Sequence, residues 1–249
     1  MQMDFQPGTF EKYGELQIAA DKYIVKPRTD LFSLLPDREF ESIIEFGCAD
    51  GTNLTFFGNK LRIDPKNLVG VDICRSTESR YEGFRFDHDS VEDYLSNNEQ
   101  TFDLIILSDV LEHLYNPWST LKSLSRIMHS TSVMLLSVPN LENLRYVDSV
   151  MSGAFNYAET GLFDQTHIRF FSLATLVSAL QQNNFSVYSS GYRPDSGLEN
   201  IKRDVEKRLL QDDKVSLDIT NGVLFIDRQN IDRKFGQQIL ICAEKCNDK

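Results

Sequence analysis

The residues whose types and spacing could do chemistry lie first in segment 43–52, Ile-Ile-Glu-Phe-Gly-Cys-Ala-Asp-Gly-Thr. A short apolar run there ends around Glu45, and Gly47 and Gly51 flank a tight turn before a helix can begin. Asp72 follows 21 residues after Gly51, at the end of a second apolar run. Glycine lets the backbone approach a ligand, and an acid after the second strand can accept both ribose hydroxyls. The spacing predicts a site where a nucleoside lies across the carboxyl ends of two parallel strands.

The charges in this turn argue against a dinucleotide as the ligand. The turn carries Glu45 and Asp50 where a pyrophosphate would need bare amides and no negative charge. The G-x-G-x-x-G spacing is also absent, because the glycine after Gly47 is Gly51. A ligand with a sulfonium cation and an amino-acid ammonium would be attracted by the two carboxylates. The electrostatics therefore favour S-adenosylmethionine over NAD.

An alternation of strands and helices from Ile43 onward must position these residues. It predicts a three-layer α/β fold with a doubly wound, mostly parallel sheet, because two runs, 104–107 and 133–136, are apolar on both faces. Strands are predicted at 43–46, 68–72, 84–87, 103–108 and 132–138, and helices at 53–60, 75–80, 90–96, 117–129 and 172–183. Two later strands, at 185–190 and 238–243, would complete a seven-stranded sheet.

The chain divides into a helical N-terminal lid at 1–38 and a main domain at 39–249. Within the lid, helical patterns are predicted at 11–24 and 31–35. The main domain carries a cap insert at 139–171 and a C-terminal elaboration at 195–235, and a connection as long as the cap is usually functional. In the elaboration a helix is predicted at 199–211, followed by a hairpin with its turn at Asn221-Gly222.

The balance of charge points away from a nucleic-acid partner. The chain has 26 Lys and Arg against 37 Asp and Glu, a net charge of −11, which would repel a phosphate backbone. No N-terminal targeting signal and no apolar run approaching about 18 residues is present, so the sequence predicts a cytoplasmic protein without a transmembrane segment. The four cysteines show neither CxxC pairing nor metal spacing, and are interpreted as reduced structural thiols: Cys48, Cys74, Cys242 and Cys246.

The sequence resembles the class I S-adenosylmethionine-dependent methyltransferases. Their first motif, acid-x-Gly-x-Gly-x-Gly, is matched with Ala49 in place of the middle glycine, and Asp72 matches their ribose-binding acid. Segment 86–90 resembles the loop after the third strand, where an acid accepts the adenine amino group, with Asp87 as a second choice. Segment 102–113 resembles the fourth-strand motif that faces the reacting methyl group. The resemblance implies a Rossmann-like fold and these cofactor-binding residues: Glu45, Gly47, Cys48, Ala49, Gly51, Asp72, Ile73, Asp89, Ser90, Ser108 and Asp109.

A narrower resemblance concerns the cap. Segments 153–157 and 161–172 look like the hallmark of a subgroup that accompanies glycosyltransferases in surface-polysaccharide biosynthesis. This resemblance implies a sugar or glycan hydroxyl as the methyl acceptor. Sugar recognition needs convergent polar groups with an aromatic platform. The predicted substrate-binding residues are Asn140, Arg145, Tyr157, Asp164 and Arg169.

Two histidines are the predicted catalytic residues. A hydroxyl acceptor must lose its proton as it attacks, and an imidazole is well matched to taking a proton at neutral pH. His113 and His167 are the candidates, although a histidine near a strand end is often only a satisfied polar group. Asp109, Glu112 and His113, with His167 from the cap, also resemble a divalent-ion array of small-RNA 3′-end and some quinone O-methyltransferases, which would suit Mg²⁺ or Mn²⁺. Helix capping by Asp109 beside an ordinary Glu-His pair is the interpretation preferred here, without a metal.

Other function classes stay open at this stage. The acceptor could be another small molecule methylated on oxygen or nitrogen, or, with a metal, the 3′ end of an RNA. An NAD-dependent oxidoreductase would need a different glycine spacing and a Tyr-x-x-x-Lys pair. A non-catalytic relative that serves as an interaction module would bind no cofactor. Cofactor binding separates these classes.

Overall fold

A computed structural model describes residues 26–73 and 83–246 of the chain. The helices predicted at 11–24 and 75–80, and Cys74, lie outside the described residues. Within these ranges, no helix combines the length and the apolar character that crossing a membrane requires.

Nine strands are present in the described residues: β1 Ile43–Phe46, β2 Leu68–Val71, β3 Arg85–Asp87, β4 Phe102–Ser108, β5 Met128–Pro139, β6 Phe185–Pro194, β7 Lys214–Ile219, β8 Gly222–Asp227 and β9 Gly236–Lys245. Seven of them form one sheet in the order β3-β2-β1-β4-β5-β9-β6. The pairs from β3 to β5 are parallel, whereas β9 runs antiparallel to both of its neighbours. The predicted doubly wound, mostly parallel seven-stranded sheet is confirmed.

Eight α-helices are described: α1 Thr29–Phe32, α2 Thr52–Leu61, α3 Val91–Asn97, α4 Pro117–Leu124, α5 Leu144–Ser152, α6 Leu173–Gln182, α7 Glu199–Arg208 and α8 Ile231–Phe235. Their starts follow local signals. Ser90 caps α3, Asn116 caps α4 with proline at its first position, and Ser172 forms a capping box with Thr175 at the start of α6. These caps explain why three helix starts predicted from sequence lie within one residue of the observed ones.

The helix predicted at 117–129 ends early because β5 begins at Met128. The Ser132 hydroxyl accepts a bond from the His129 amide and donates one to the Phe102 carbonyl, which ties this extra part of β5 to the start of β4. The helical pattern of α4 gives way to a 3₁₀ turn at Ser125–Ile127 before the strand starts. A long-range strand contact thus overrides the local helical preference.

Both faces of the sheet are covered by apolar side chains. Along β4, Ile105 and Leu107 face one apolar layer, and Leu104 and Ile106 face the other. All four are fully buried, as central parallel strands require. This double burial holds the carboxyl ends of β1, β2 and β4 in a fixed relation.

The C-terminal elaboration has its own small apolar cluster, in which α7 and α8 pack with the β7–β8 hairpin through Val205, Val215 and Phe235. The hairpin turn is Thr220–Asn221, one residue earlier than predicted, because Gly222 already pairs with Ile219 in the ladder. The helix predicted to reach residue 211 ends at Arg208. The elaboration therefore packs as a small layer beside the end of the main sheet.

Candidate functional site

The turn after β1 forms the base of the site. Gly47, Ala49 and Gly51 all have left-handed backbone angles, with φ of 68°, 47° and 75°. Gly47 must be glycine for a second reason, since a Cβ there would lie 2.8 Å from Cγ2 of Val110. The chain therefore passes close under the strand ends, and α2 begins directly after Gly51.

The acid after β2 lies against this turn. Asp72 is 9 % exposed, and its Oδ2 accepts a hydrogen bond of 2.8 Å from the Ala49 amide. The two sequence features that predicted a nucleoside site are therefore in contact. A carboxylate accepts several hydrogen bonds, so this bond is compatible with a further role toward ribose hydroxyls.

Glu45 is buried at the end of β1. Its Oε1 accepts a hydrogen bond of 2.6 Å from Nδ2 of Asn53, whereas its Oε2 has no hydrogen-bond partner among the described residues. Burial, and secondarily the charge of Asp72, raise the pKa of Glu45 to about 8. Such a carboxyl is stabilised as an anion when a cation approaches it. Asn53 belongs to the site and was not predicted from the sequence.

Arg28 lies at the strand ends and was not predicted from the sequence as a site residue. Its side chain is buried, with 8 % of its surface exposed, and it donates hydrogen bonds at the carboxyl ends of β4 and β5. Its acceptors are Asp30, Ser108, Asp109, Ser137 and Gln238. Nothing in the sequence around Arg28 distinguished it from a surface arginine, because its acceptors lie up to 210 residues away.

Arg28 and its neighbours fix the orientation of Asp109. This residue has a left-handed φ of 58°, and its carboxylate accepts from Arg28, Ser137 and Gln238. Ser108, beside it, accepts a bond of 2.7 Å from Arg28. Both residues predicted from the fourth-strand motif therefore lie at the strand ends in one polar network.

The predicted residues near β3 have mixed roles. The Ser90 hydroxyl caps α3 by accepting from the Asp93 amide, so it serves the helix. Asp89 is half-buried directly before it. The Ile73 carbonyl lies 3.0 Å from Nε2 of His88, which connects the end of β2 to the loop after β3. Asp87 is paired with Arg85 on β3.

The side chain of Cys48 is packed inside the protein. It is 2 % exposed, and a Cβ added to Gly70 of β2 would lie 2.8 Å from its sulfur. Burial also raises the pKa of this thiol. Cys48 therefore offers the site its main chain, and its sulfur fills the space above Gly70.

Three titratable residues, which we call the Glu-His cluster, meet beside this end of the sheet: Glu112, His113 and His167. One ligand atom from each lies within 4.8 Å of the others, and the two imidazole centroids are 4.9 Å apart. Burial lowers the pKa of His113 to about 4, with His167 as the next cause, and burial also lowers the pKa of His167. Both imidazoles are therefore neutral at pH 7.

The cap reaches this cluster through its main chain. The Glu112 carbonyl accepts hydrogen bonds from the amides of Ile168 and Arg169, which attaches the cap to the turn after β4. His113 and His167, 54 residues apart in sequence, are adjacent for this reason. The structure thus brings together the two predicted catalytic histidines.

Two predicted substrate residues have structural roles instead. Asn140 is fully buried, and its amide donates to the carbonyls of Arg233 and Gly236. Asp164 is 4 % exposed and accepts from the amide and the hydroxyl of Thr166. Because both side chains are enclosed and hydrogen-bonded within the protein, neither has a surface to offer an acceptor.

The other three predicted substrate residues are accessible. The Tyr157 ring is 62 % exposed, and Arg145 lies over Phe163 of the cap. Arg169 lies over the rings of Tyr115 and Trp118, with its guanidinium carbon 5.5 Å and 5.7 Å from their centroids. Those two exposed aromatic residues follow His113 in sequence and were not predicted.

The glycine turn after β1 and the carboxylates at the strand ends fit S-adenosylmethionine. The left-handed turn at Gly47 leaves room for a ligand to approach the backbone, and the buried Glu45 has an oxygen without a hydrogen-bond partner among the described residues. Asp72 and Asp109 add carboxylates at the ends of β2 and β4, the two strands that flank β1. A sulfonium and an ammonium group complement such a set, whereas a pyrophosphate would be repelled.

Comparison with known proteins agrees with this geometry. The family described as a methyltransferase domain matches residues 19–190, more than half of the chain. None of the curated proteins compared with the chain matches it.

Solved structures share the fold at low identity. An S-adenosylmethionine-dependent methyltransferase from Archaeoglobus fulgidus is 17 % identical, with a TM-score of 0.55 over 96 % of this chain and 95 % of that one. A methyltransferase from Haloferax volcanii, solved in complex with its Trm112 activator, is 13 % identical, with a TM-score of 0.61 over 96 % and 97 %. The plantazolicin methyltransferase BamL, solved with S-adenosylhomocysteine, is 12 % identical, with a TM-score of 0.54 over 96 % and 89 %.

The glycine turn and its paired acids, the strand order of the sheet and the family match lead to one conclusion. The chain belongs to the methyltransferase-domain family and is an S-adenosylmethionine-dependent methyltransferase.

Proposed function

We propose that this methyltransferase methylates a hydroxyl group of a sugar or glycan. The observation that carries the proposal is the pair of neutral imidazoles, His113 and His167, beside the strand ends. A hydroxyl must lose its proton as its oxygen attacks a methyl carbon, so an enzyme for hydroxyl acceptors needs a group that handles this proton. Neutral imidazoles in the Glu-His cluster meet that need.

The cofactor would be held by the turn after β1 and by two acids. Asp72 would accept hydrogen bonds from the ribose hydroxyls, and Glu45 would face the cationic end. When bound, S-adenosylmethionine supplies a methyl group on a positively charged sulfur. The protein's main contribution is to hold the acceptor oxygen in line with that methyl group.

The acceptor surface supports a sugar. Tyr115 and Trp118 expose 66 % and 47 % of their surface, and the guanidinium of Arg169 lies over both rings. Flat aromatic rings beside charged hydrogen-bond donors provide the combination that carbohydrate binding uses. The resemblance of segment 161–172 to the polysaccharide-associated subgroup supports the same acceptor class. The net charge of −11 disfavours RNA.

An acceptor panel tests the proposal. The protein is incubated with S-adenosylmethionine labelled in its methyl group and with nucleotide-linked sugars, glycans, small phenols, amines and RNA. We expect label on a sugar hydroxyl. Transfer to amines or RNA with none to any sugar would refute the acceptor class while leaving the family assignment intact.

The histidines can be tested on the acceptor found. His113→Ala and His167→Ala should each lower turnover by about 10²- to 10⁴-fold, while S-adenosylhomocysteine binding, measured by calorimetry, stays close to that of the unmodified protein. His129→Ala, at an exposed histidine of β5, is the matched control and should leave turnover unchanged. Full turnover in both cluster variants would exclude the proposed role.

A further inference from the structure

Asp164 and Thr166 form a buried polar pair directly beside His113. Asp164 is 4 % exposed and Thr166 is 8 % exposed. The Thr166 hydroxyl lies 2.6 Å from Oδ1 of Asp164 and 3.1 Å from Nδ1 of His113. Oδ1 of Asp164 also accepts a hydrogen bond of 2.8 Å from the Thr166 amide. The three side chains therefore form one continuous series of hydrogen bonds, which we call the Asp-Thr-His series.

The direction of these hydrogen bonds fixes the tautomer of His113. A hydroxyl has a single proton, and the carboxylate of Asp164 can only accept, so the Thr166 hydroxyl donates to Asp164. The hydroxyl oxygen then accepts from Nδ1 of His113. The Thr166 carbonyl favours the same arrangement, because it too can only accept. His113 therefore carries its proton on Nδ1, and its lone pair is on Nε2, on the other side of the ring.

The main chain of the cap holds both ends of the Asp-Thr-His series in place. The Asp164 carbonyl accepts from the His167 amide, and the next two amides of the cap donate to the Glu112 carbonyl, directly before His113. These main-chain bonds attach the cap to the turn after β4 without any contribution from the hydroxyl of Thr166. The hydrogen bond between that hydroxyl and His113 instead orients the imidazole.

We propose that Asp164 and Thr166 are positioning residues for the methyl transfer, which hold the proton of His113 on Nδ1 so that Nε2 takes the proton of the acceptor hydroxyl. The proposal rests on the proposed function, in which His113 handles that proton.

The proton and the charges balance along the Asp-Thr-His series. As the acceptor oxygen bonds to the methyl carbon and the sulfur–carbon bond breaks, the hydroxyl proton moves to Nε2 and His113 becomes an imidazolium. Nδ1 keeps its own proton toward the Thr166 hydroxyl. Asp164 stays ionised, so its charge stabilises the imidazolium. The imidazolium gives its added proton to water after the methylated product leaves.

The tautomer can be measured without any acceptor. The full chain, labelled with ¹⁵N in its histidine rings, is studied by two-bond ¹H–¹⁵N correlation spectra, and His113→Ala assigns the signal of His113. We expect the parent to carry this proton on Nδ1. Thr166→Val removes the hydroxyl but keeps the shape of the side chain and the carbonyl, so the Nε2–H form should appear beside the Nδ1–H form. Thr166→Ser should give the spectrum of the parent. A parent with the proton on Nε2, or an unchanged tautomer in Thr166→Val, would overturn the proposal.

Turnover of the acceptor found in the panel tests the positioning role. Thr166→Val should lower kcat by about 10-fold, with the acceptor KM and the affinity for S-adenosylhomocysteine unchanged, and Thr166→Ser should restore most of the loss. Asp164→Asn keeps an oxygen for the Thr166 amide and hydroxyl but removes the charge, so kcat should also fall by about 10-fold. Thr120→Val is the matched control and should leave kcat unchanged, because the hydroxyl of this buried threonine bonds to the Asn116 carbonyl.

The pair of Thr166 variants separates the hydrogen bond from packing. Thermal unfolding checks that each variant is folded, and the spectrum of the parent decides the tautomer even where a variant does not fold. Full kcat in Thr166→Val or Asp164→Asn, or equal losses in Thr166→Ser and Thr166→Val, would overturn the proposal. An Nδ1 proton on His113 that depends on the Thr166 hydroxyl, together with no methylation of any sugar, would instead overturn the proposed function and leave the Asp-Thr-His series standing.

Discussion

The hydrogen bond between the Asp72 carboxylate and the Ala49 amide connects the two sequence features that predicted the cofactor site. It joins the acid after β2 to the turn after β1 and is 2.8 Å long. The bond positions the carboxylate at the strand ends, where a ribose would lie. Removing the Asp72 carboxylate should weaken ligand binding, because it would take away the acceptor for the ribose hydroxyls.

Asp72→Ala should therefore weaken S-adenosylhomocysteine binding by about 2–3 kcal/mol, since charge-assisted hydrogen bonds to ribose hydroxyls are lost. Titration calorimetry measures this. Asp213→Ala, at an exposed acid of the C-terminal elaboration, is the control and should bind normally. Unchanged affinity in Asp72→Ala would remove Asp72 from the cofactor site. NAD should not bind to any of these proteins.

Glu45 should couple cofactor binding to pH. Because burial raises its pKa to about 8, the carboxyl is mostly protonated at pH 7 in the free protein. A cationic ligand favours the ionised form and lowers the pKa, so binding at pH 7 should release up to one proton. Affinity should rise with pH up to about 8 and then level off.

Calorimetry in two buffers of different ionisation enthalpy, with S-adenosylmethionine as the ligand, counts the released protons. Glu45→Gln removes the titrating group, so the heat of binding to that variant should no longer depend on the buffer. Equal proton release from the parent and from Glu45→Gln would show that another group titrates.

At the scale of elements, the turn from β1 into α2 depends on backbone conformation. Gly47 combines a left-handed φ with a close approach to Val110, whereas Gly153, after α5, has a similar φ of 71° with nothing within 4 Å of its Cβ position. The two glycines therefore separate the cost of an unfavourable φ from the cost of a clash.

Gly153→Ala should lower the free energy of unfolding by about 1 kcal/mol, from φ alone. Gly47→Ala should lower it by about 2–4 kcal/mol, because Val110 must also move, and it should weaken cofactor binding as well. Urea denaturation of both variants measures the difference. Equal destabilisation would mean that the region around Val110 absorbs the added methyl group without strain.

At the scale of the whole molecule, one buried guanidinium joins distant parts of the chain. Arg28 binds groups on β4, β5 and β9 and pairs with Asp30 beside it. The network holds the segment around Arg28 at the carboxyl ends of the strands and fixes the orientation of Asp109. A second arginine, Arg38, pairs with Glu244 at 3.1 Å, and the side chains of both residues are about one third exposed.

Arg28→Ala should lower the free energy of unfolding by about 3 kcal/mol, because it removes a buried guanidinium and leaves the partly buried carboxylates of Asp30 and Asp109 without their cation. Arg38→Ala should cost less than about 1 kcal/mol, as exposed ion pairs do. Chemical denaturation of the two variants checks the contrast. If both substitutions lower the free energy of unfolding by the same small amount, the hydrogen bonds of Arg28 do not stabilise the described fold.

Several elements and part of the site were predictable from the sequence because their signals are local. Apolar runs such as Leu104–Leu107 specify buried parallel strands, and Ser90 and Ser172 specify helix starts within a few residues of themselves. The turn with Gly47 and the acid Asp72 could be recognised because their spacing follows from one strand-helix-strand unit. The family and the cofactor followed from those residues.

The tertiary structure alone decided which distant polar groups meet. Arg28 reaches Gln238 across 210 residues, and His113 reaches Thr166 across 53. No local period encodes such contacts, because they depend on how β9 enters the sheet and how the cap lies on the turn after β4. The same packing buried Asn140 against the elaboration, although its sequence position suggested a substrate contact. The sequence by itself determined the fold class and the glycine turn, because their signals are local, whereas the packing of the cap alone decided that His113 and His167 meet.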